Sequence, residues 1–147
     1  MKNLLTKILA TALITIPGVT LAQSYVEIIN AQFQQATDFF ASRGYSLTHG
    51  PSGGQLGHNA YENITINLSS GNVYAIVAFC DQNCDNINLE LYDEKNNLID
   101  SDTETDAKPI VQVAPEWTGQ FLIKVTMANC SNVPCHYGAA VYGKQAE

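Results

Sequence analysis

Two acidic constellations carry the chemistry that residue types and spacing suggest most directly. The first is Asp81-Gln82-Asn83-Cys84-Asp85, an Asp-x-Asn-x-Asp pattern followed by Asn86. Calcium is a hard cation that takes about six to eight oxygen ligands at roughly 2.3–2.6 Å. Three alternating oxygens on a curled loop supply part of such a shell, and a Cys80–Cys84 bridge would enforce the curl. The stretch is not an EF-hand, which needs glycine sixth, where Asn86 stands, and glutamate twelfth, where Tyr92 stands. The second constellation is Asp100, Asp102, Glu104 and Asp106, all at steps of two. In an extended strand such side chains share a face about 6.7 Å apart, too far for one ion unless a loop gathers them. Gathered carboxylates repel one another, so an ion among them would be structural. The competing reading is a solvated acidic edge that discourages strand-to-strand aggregation. Asp81, Asn83, Asp85, Asp100, Asp102, Glu104 and Asp106 are thus the candidate calcium ligands, and calcium is the one cofactor suggested.

Catalytic patterns are weaker. A hydrolytic triad needs a nucleophile, a base and an orienting acid brought together. His49, His58 and His136 supply bases, but no serine sits in a Gly-x-Ser-x-Gly context. No phosphate-cradling glycine loop precedes a helix. A glycosidase carboxylate pair has no sequence signature, because its separation is set by the fold. No enzyme activity is expected, and a small secreted hydrolase stands as the alternative of a different class. Aromatic side chains offer a binding idea. Tyr92, Tyr137 and Tyr142 fall on predicted strands and Trp117 in a predicted turn, where they could form a carbohydrate platform or pack in the core. Asn63-Ile64-Thr65, Asn67-Leu68-Ser69 and Asn129-Cys130-Ser131 match the glycosylation pattern, which is common by chance.

The segments that must position these residues begin with an export signal. Lys2 and Lys7 bracket a positive region, Ile8 to Ile16 is apolar apart from two threonines, and Pro17-Gly18 breaks a helix. Thr20-Leu21-Ala22 then offers small residues for cleavage before Gln23. The apolar run is too short for roughly 30 Å of hydrocarbon, so no membrane insertion is expected after cleavage. The two-lysine leader suggests a bacterium, and a secreted or periplasmic product. Removing residues 1–22 takes two of the seven basic residues and none of the fourteen acidic ones, leaving a net charge of −9. Such a body is a poor partner for nucleic acid and anionic membranes. A protein or glycan partner is expected instead. Four cysteines in an exported chain read as two disulfides. The local pairs Cys80–Cys84 and Cys130–Cys135 are favoured, each closing a loop and contributing about 2 kcal/mol. Spacings of C-x3-C and C-x4-C argue against a four-thiolate zinc site.

Residues 23–44 read as a helix, spanning about Tyr25 to Ser42. Ser24 and Glu27 form a capping box, and Val26, Ile29, Phe33, Ala36 and Phe40 make an apolar stripe. Gly44 suits the left-handed residue after a helix end. Residues 45–147 read as one β-domain. Tyr45 to Leu47 is a short strand, and His49 to His58 a glycine-rich loop. From Tyr61 the period becomes two. Ile64, Ile66 and Leu68 alternate with polar residues, and Ser69-Ser70-Gly71-Asn72 is a hairpin turn. Val73 to Met127 then reads as five strands in close succession, the first buried on both faces. Tyr137, Ala139 and Val141 alternate in the last strand. The expected fold is mainly β, an antiparallel sandwich of jelly-roll or Greek-key order with one N-terminal amphipathic helix.

Three segments carry a family resemblance: Asn88-Leu89-Glu90-Leu91-Tyr92-Asp93, then Leu98-Ile99-Asp100-Ser101-Asp102, then Pro115 to Val125 with its Gly119-Gln120-Phe121 start. Together they resemble the bacterial pre-peptidase C-terminal domain, a small β-sandwich found mostly beside secreted proteases. Its pattern is a strand ending Leu-Tyr-Asp, a turn, and a later Gly-x-Tyr-x-x-x-Val strand. The resemblance covers about residues 64–142. Phe121 stands where tyrosine is usual, a helix rather than a peptidase comes before, and the paired cysteines lie outside the general pattern. The resemblance implies a non-catalytic accessory role: matrix binding, substrate recruitment or calcium binding. The expectation is therefore an exported accessory module, with a carbohydrate- or matrix-binding module as its alternative.

Overall fold

A computed structural model describes residues 21–147 of the chain. Residues 1–20, where most of the expected export signal falls, lie outside that range. Helix α1 runs Leu21–Ala41. It already includes Leu21, the first described residue, so Ser24 lies inside the helix and not at its cap. Its end follows the prediction. Tyr45 N–H bonds the Phe40 carbonyl at 3.1 Å and Gly44 N–H bonds that of Ala41 at 3.1 Å. This pair closes a Schellman motif with Gly44 at φ 81° as the left-handed residue.

Eight strands follow: β1 Ser46–Leu56, β2 Tyr61–Leu68, β3 Asn72–Cys80, β4 Cys84–Asp93, β5 Leu98–Asp102, β6 Ile110–Val113, β7 Gly119–Cys130 and β8 Cys135–Gln145. They form two four-stranded antiparallel sheets in the orders β1-β8-β3-β6 and β2-β7-β4-β5. Every odd-to-even hairpin neighbour is thus split between sheets or nested: β1 with β8, β2 with β7, β3 with β6, β4 with β5. That is a jelly roll, two antiparallel sheets packed face to face.

Period-two patterning explains the layers. Ile87, Leu89 and Leu91 of β4 and Phe121, Ile123, Val125 and Met127 of β7 all point inward and are buried. They meet Tyr74, Ile76 and Ala78 of β3 and Val111 of β6 in one core. Each large side chain so buried contributes roughly 1.5–3 kcal/mol. Strands β3 and β8 are apolar on their other face as well. There Ala75, Val77, Phe79, Ala140 and Tyr142 meet Ile29, Phe33, Ala36 and Phe40 of α1. The helix lies close enough that a Cβ on Gly138 would come within 2.5 Å of the Phe79 ring and 3.0 Å of Ile29.

Two local expectations are corrected. The stretch His49 to His58, expected as a loop, is largely strand β1, laddered to β8 from Ser46↔Gly143 to Leu56↔Cys135. Its Gly and Pro residues are tolerated because β1 is an edge strand, and they appear as two register shifts between Leu47 and Ser52. The turn Ser69 to Asn72 is not a hairpin either. It carries the chain from β2 in one sheet to β3 in the other.

Both disulfides are the local pairs, Cys80–Cys84 and Cys130–Cys135. Each joins a strand of one sheet to a strand of the other. Cys84 and Cys130 are themselves partners in the β4–β7 ladder. The four cysteines therefore clamp the two sheets at one end of the sandwich, beyond the loop-pinning expected of short bridges.

Candidate functional site

The seven acidic and amide candidates do not converge. Among the described residues, no three His, Cys, Asp or Glu side chains are grouped to hold a metal ion. Asp81 is buried and points into the fold. Its Oδ1 accepts the Asn83 N–H at 2.9 Å and its Oδ2 the His136 N–H at 2.7 Å. Asn83 gives its carbonyl to Ser131, which donates from N–H at 2.8 Å and Oγ at 3.0 Å. Asp85 accepts Asn129 Nδ2 at 2.7 Å. The second constellation bonds backbone N–H groups. Asp102 Oδ2 accepts the Ile110 N–H at 3.0 Å, and Asp100 Oδ2 accepts the Gln112 N–H at 2.8 Å. Strand β5 edges one sheet and β6 the other, so two carboxylates spaced by two residues satisfy two N–H groups spaced by two. The acidic edge closes a seam. Glu104 donates its N–H to Asp102 at 3.4 Å, and Asp106 Oδ1 accepts the Lys108 N–H at 2.5 Å, both within the connecting loop.

The histidines are also engaged. His49 Nδ1 meets Thr48 Oγ1 at 2.9 Å, and His58 Nδ1 accepts the Cys130 N–H at 3.3 Å. His136 forms the only Asp–His pair among the described residues, with Nδ1 3.2 Å from Asp81 Oδ2. Asp81 accepts there, so Nδ1 carries a proton, and Nε2 lies 2.9 Å from Gln55 Nε2. Tyr25 of α1 lies against the ring, centroids 5.2 Å apart. A hollow of about 370 Å³ opens beside it, lined by Val26, Ile29, Gly53, Gly54, Gln55 and Tyr137. The one hydroxyl in that lining, Tyr137 OH, donates to Glu62, and Nε2 of His136 is engaged by Gln55. The arrangement locks β8 to the β3–β4 loop and to β1.

What remains open is the outer face of the β2-β7-β4-β5 sheet and the β4–β5 turn beside it. Tyr61 is 57% exposed at the start of β2. Lys124 of β7 holds its Nζ 4.7 Å from the Tyr61 ring centroid and 3.7 Å from Glu90 Oε2. Tyr92 donates its hydroxyl to Glu90 Oε1 at 2.8 Å. That bond, with burial and the Glu90 charge, raises the Tyr92 pKa above the ordinary tyrosine value. Tyr61, Tyr92 and Lys124, with Asn63, Asn96 and Leu122, border a shallow hollow of about 210 Å³. On the far side of the turn, Asp93, Glu94, Lys95, Asn97 and Trp117 line a cleft of about 480 Å³.

The turn between the two hollows is rigid. Asp93 accepts the N–H groups of Lys95 and Asn97 at 2.8 and 2.9 Å and Asn97 Nδ2 at 2.9 Å. The Asn97 side-chain and backbone bonds hold its carboxyl below the usual aspartate range, against the opposing effect of burial. Glu94 Oε1 accepts the Gln120 N–H at 2.8 Å and ties the turn to β7. Trp117, 42% exposed, stacks on Phe121 at 5.7 Å and 16°. Tyr61, Tyr92 and Trp117 are thus three fixed aromatic rings around one braced turn. Sequence reasoning named Tyr92 and Trp117 but missed Tyr61, which the β2–β7 register sets opposite Thr126 and diagonal to Lys124.

No protein-family model matches the chain, and no curated protein matches it.

Proposed function

We propose that the chain is an exported, non-catalytic binding module whose open sheet face and β4–β5 turn take a glycan. One observation carries this reading: Tyr61, Tyr92 and Trp117 flank a single turn, interleaved with fixed carboxylate, amide and ammonium groups. Sugars present apolar C–H faces to aromatic rings and hydroxyls to such polar groups, and pre-fixed side chains cost little entropy on binding. The two disulfides suit an oxidising compartment, and no helix among the described residues is long and apolar enough to cross a membrane. The resemblance of residues 64–142 to the pre-peptidase C-terminal domain supports an accessory role in the same direction.

The test is titration calorimetry with chito-, cello-, xylo- and manno-oligosaccharides. One of these should bind, and Trp117→Ala should weaken it at least about tenfold, a loss of about 1.4 kcal/mol. Failure of every oligosaccharide at millimolar concentration would remove the glycan reading.

A further inference from the structure

A sandwich has four strand edges, and three are protected here. Strand β1 carries Pro51 and two register shifts. The edges of β5 and β6 face one another, with Asp100 and Asp102 bonded across the seam. Strand β2 is different. It pairs with β7 over eight consecutive residues, Tyr61↔Thr126 to Leu68↔Gly119, with no shift, no proline and no lysine. Among the described residues no strand is laddered to its other side. Edges of this kind are templates for strand addition.

The ladder fixes which groups are free. Met127 N–H bonds the Ala60 carbonyl at 2.8 Å. Antiparallel pairs alternate, so Glu62, Ile64, Ile66 and Leu68 bond β7, while the N–H and C=O groups of Tyr61, Asn63, Thr65 and Asn67 point outward.

We infer that β2 is a self-association edge, pairing antiparallel with β2 of a second copy about a two-fold axis at Ile64. The occupant follows from self-complementarity. In this register Tyr61 opposes Asn67 of the other copy and Asn63 opposes Thr65, so all four free residues on each strand bond at once. The strand carries one charge, Glu62. The two-fold sets it opposite Ile66, so no like charges meet across the strands. Asn–Thr and Tyr–Asn pairs line one face and Ile64 meets itself on the other. The symmetry is isologous and closes at two. Two four-stranded sheets become one of eight strands, with Tyr61 of both copies on the same side. The inference rests on the β2 edge alone and stands whether or not the face binds glycan.

Strand pairing buries little area, so the dimer is a weak one. Sedimentation equilibrium of the oxidised protein from about 10 μM to about 1 mM should show the mass doubling within that range. Hydrogen exchange should slow with concentration at the amides of Tyr61, Asn63, Thr65 and Asn67 alone. Thr65→Pro removes an outward N–H at an edge position that tolerates proline, so it should abolish the dimer. Asn63→Lys combined with Thr65→Lys sets lysines opposite each other and should do the same with the β2 backbone intact. A protein monomeric throughout, or a dimer that survives both variants, would overturn the proposal.

Discussion

The two outer faces of the sandwich are built on the same strand geometry and meet opposite fates. On one, β3 and β8 carry Ala75, Val77, Phe79, Ala140 and Tyr142, and α1 covers them. On the other, β2, β4 and β7 carry Tyr61, Asn63, Glu90, Tyr92 and Lys124, and nothing among the described residues covers them. The difference lies in what the side chains do for one another. The covered face stabilises by removing apolar area from water, with few polar contacts beside it, among them Thr37 Oγ1 to Tyr142 OH at 2.9 Å and Gln32 Nε2 to the Cys80 carbonyl at 2.8 Å. The open face spends its side chains on a lateral relay from Tyr61 through Lys124 and Glu90 to Tyr92. Exposed relays of this kind add little stability. Groups held in place with little return in stability are available for binding.

The largest expected break in this comparison is Phe40→Ala. Phe40 is buried and stacks on Tyr142 at 4.6 Å. Its loss should cost about 3–5 kcal/mol in denaturant unfolding. Tyr61→Ala on the open face should change the same measurement by no more than about 0.5 kcal/mol. If the two variants are alike in stability, the contrast between the faces fails. A finer test uses alkaline pH. Burial raises the Tyr142 pKa, while its Thr37 hydrogen bond works the other way. Tyr92 is raised first by its bond to Glu90. A tyrosine raised in the folded state gives stability that is complete below the unfolded value of about 10 and falls as pH climbs past it. Melting temperature should therefore decline above about pH 10. Glu90→Gln should bring phenolate titration of Tyr92 back toward ordinary tyrosine while leaving Tyr142 untouched.

Much of the fold was legible because burial writes a period into the chain. Ile87-x-Leu89-x-Leu91 and Phe121-x-Ile123-x-Val125 each mark a strand with one buried face, and Val73 to Phe79 marks one buried on both. Strand β1 was illegible because an edge strand is specified by its neighbour's backbone and little by its own side chains. Gly50-Pro51-Ser52-Gly53-Gly54 therefore looks like loop and pairs as strand. The capping box at Ser24 and Glu27 is a local signal, and the described residues before Ser24 are helical as well. The four-cysteine clamp could not be read from spacing, since the pairing is local while its effect depends on sheet membership. In the candidate site, Trp117 and Tyr92 were visible as aromatic residues near turns. Asp81 was visible only as a carboxylate, and its bonds to Asn83 and His136 needed the tertiary structure. The acidic steps of two at Asp100 and Asp102 are visible in the chain as spaced carboxylates, but their bonds to the Ile110 and Gln112 N–H groups of β6 depend on how the two sheets meet.

The nested order also sets a schedule for the chain. Among the described residues, strand β1, early in the sequence, has β8 as its only ladder partner, and β2 has only β7. A polypeptide that emerges from its N-terminus first must carry both strands unpaired until the last segments arrive. Closure at such sequence separations is slow, on the order of milliseconds to seconds for β-rich domains. The bulged, glycine-rich β1 is poorly suited to recruit strangers during that wait, whereas the regular β2 is well suited to it. Whatever holds the nascent chain apart from its neighbours has most to do at residues 61–68.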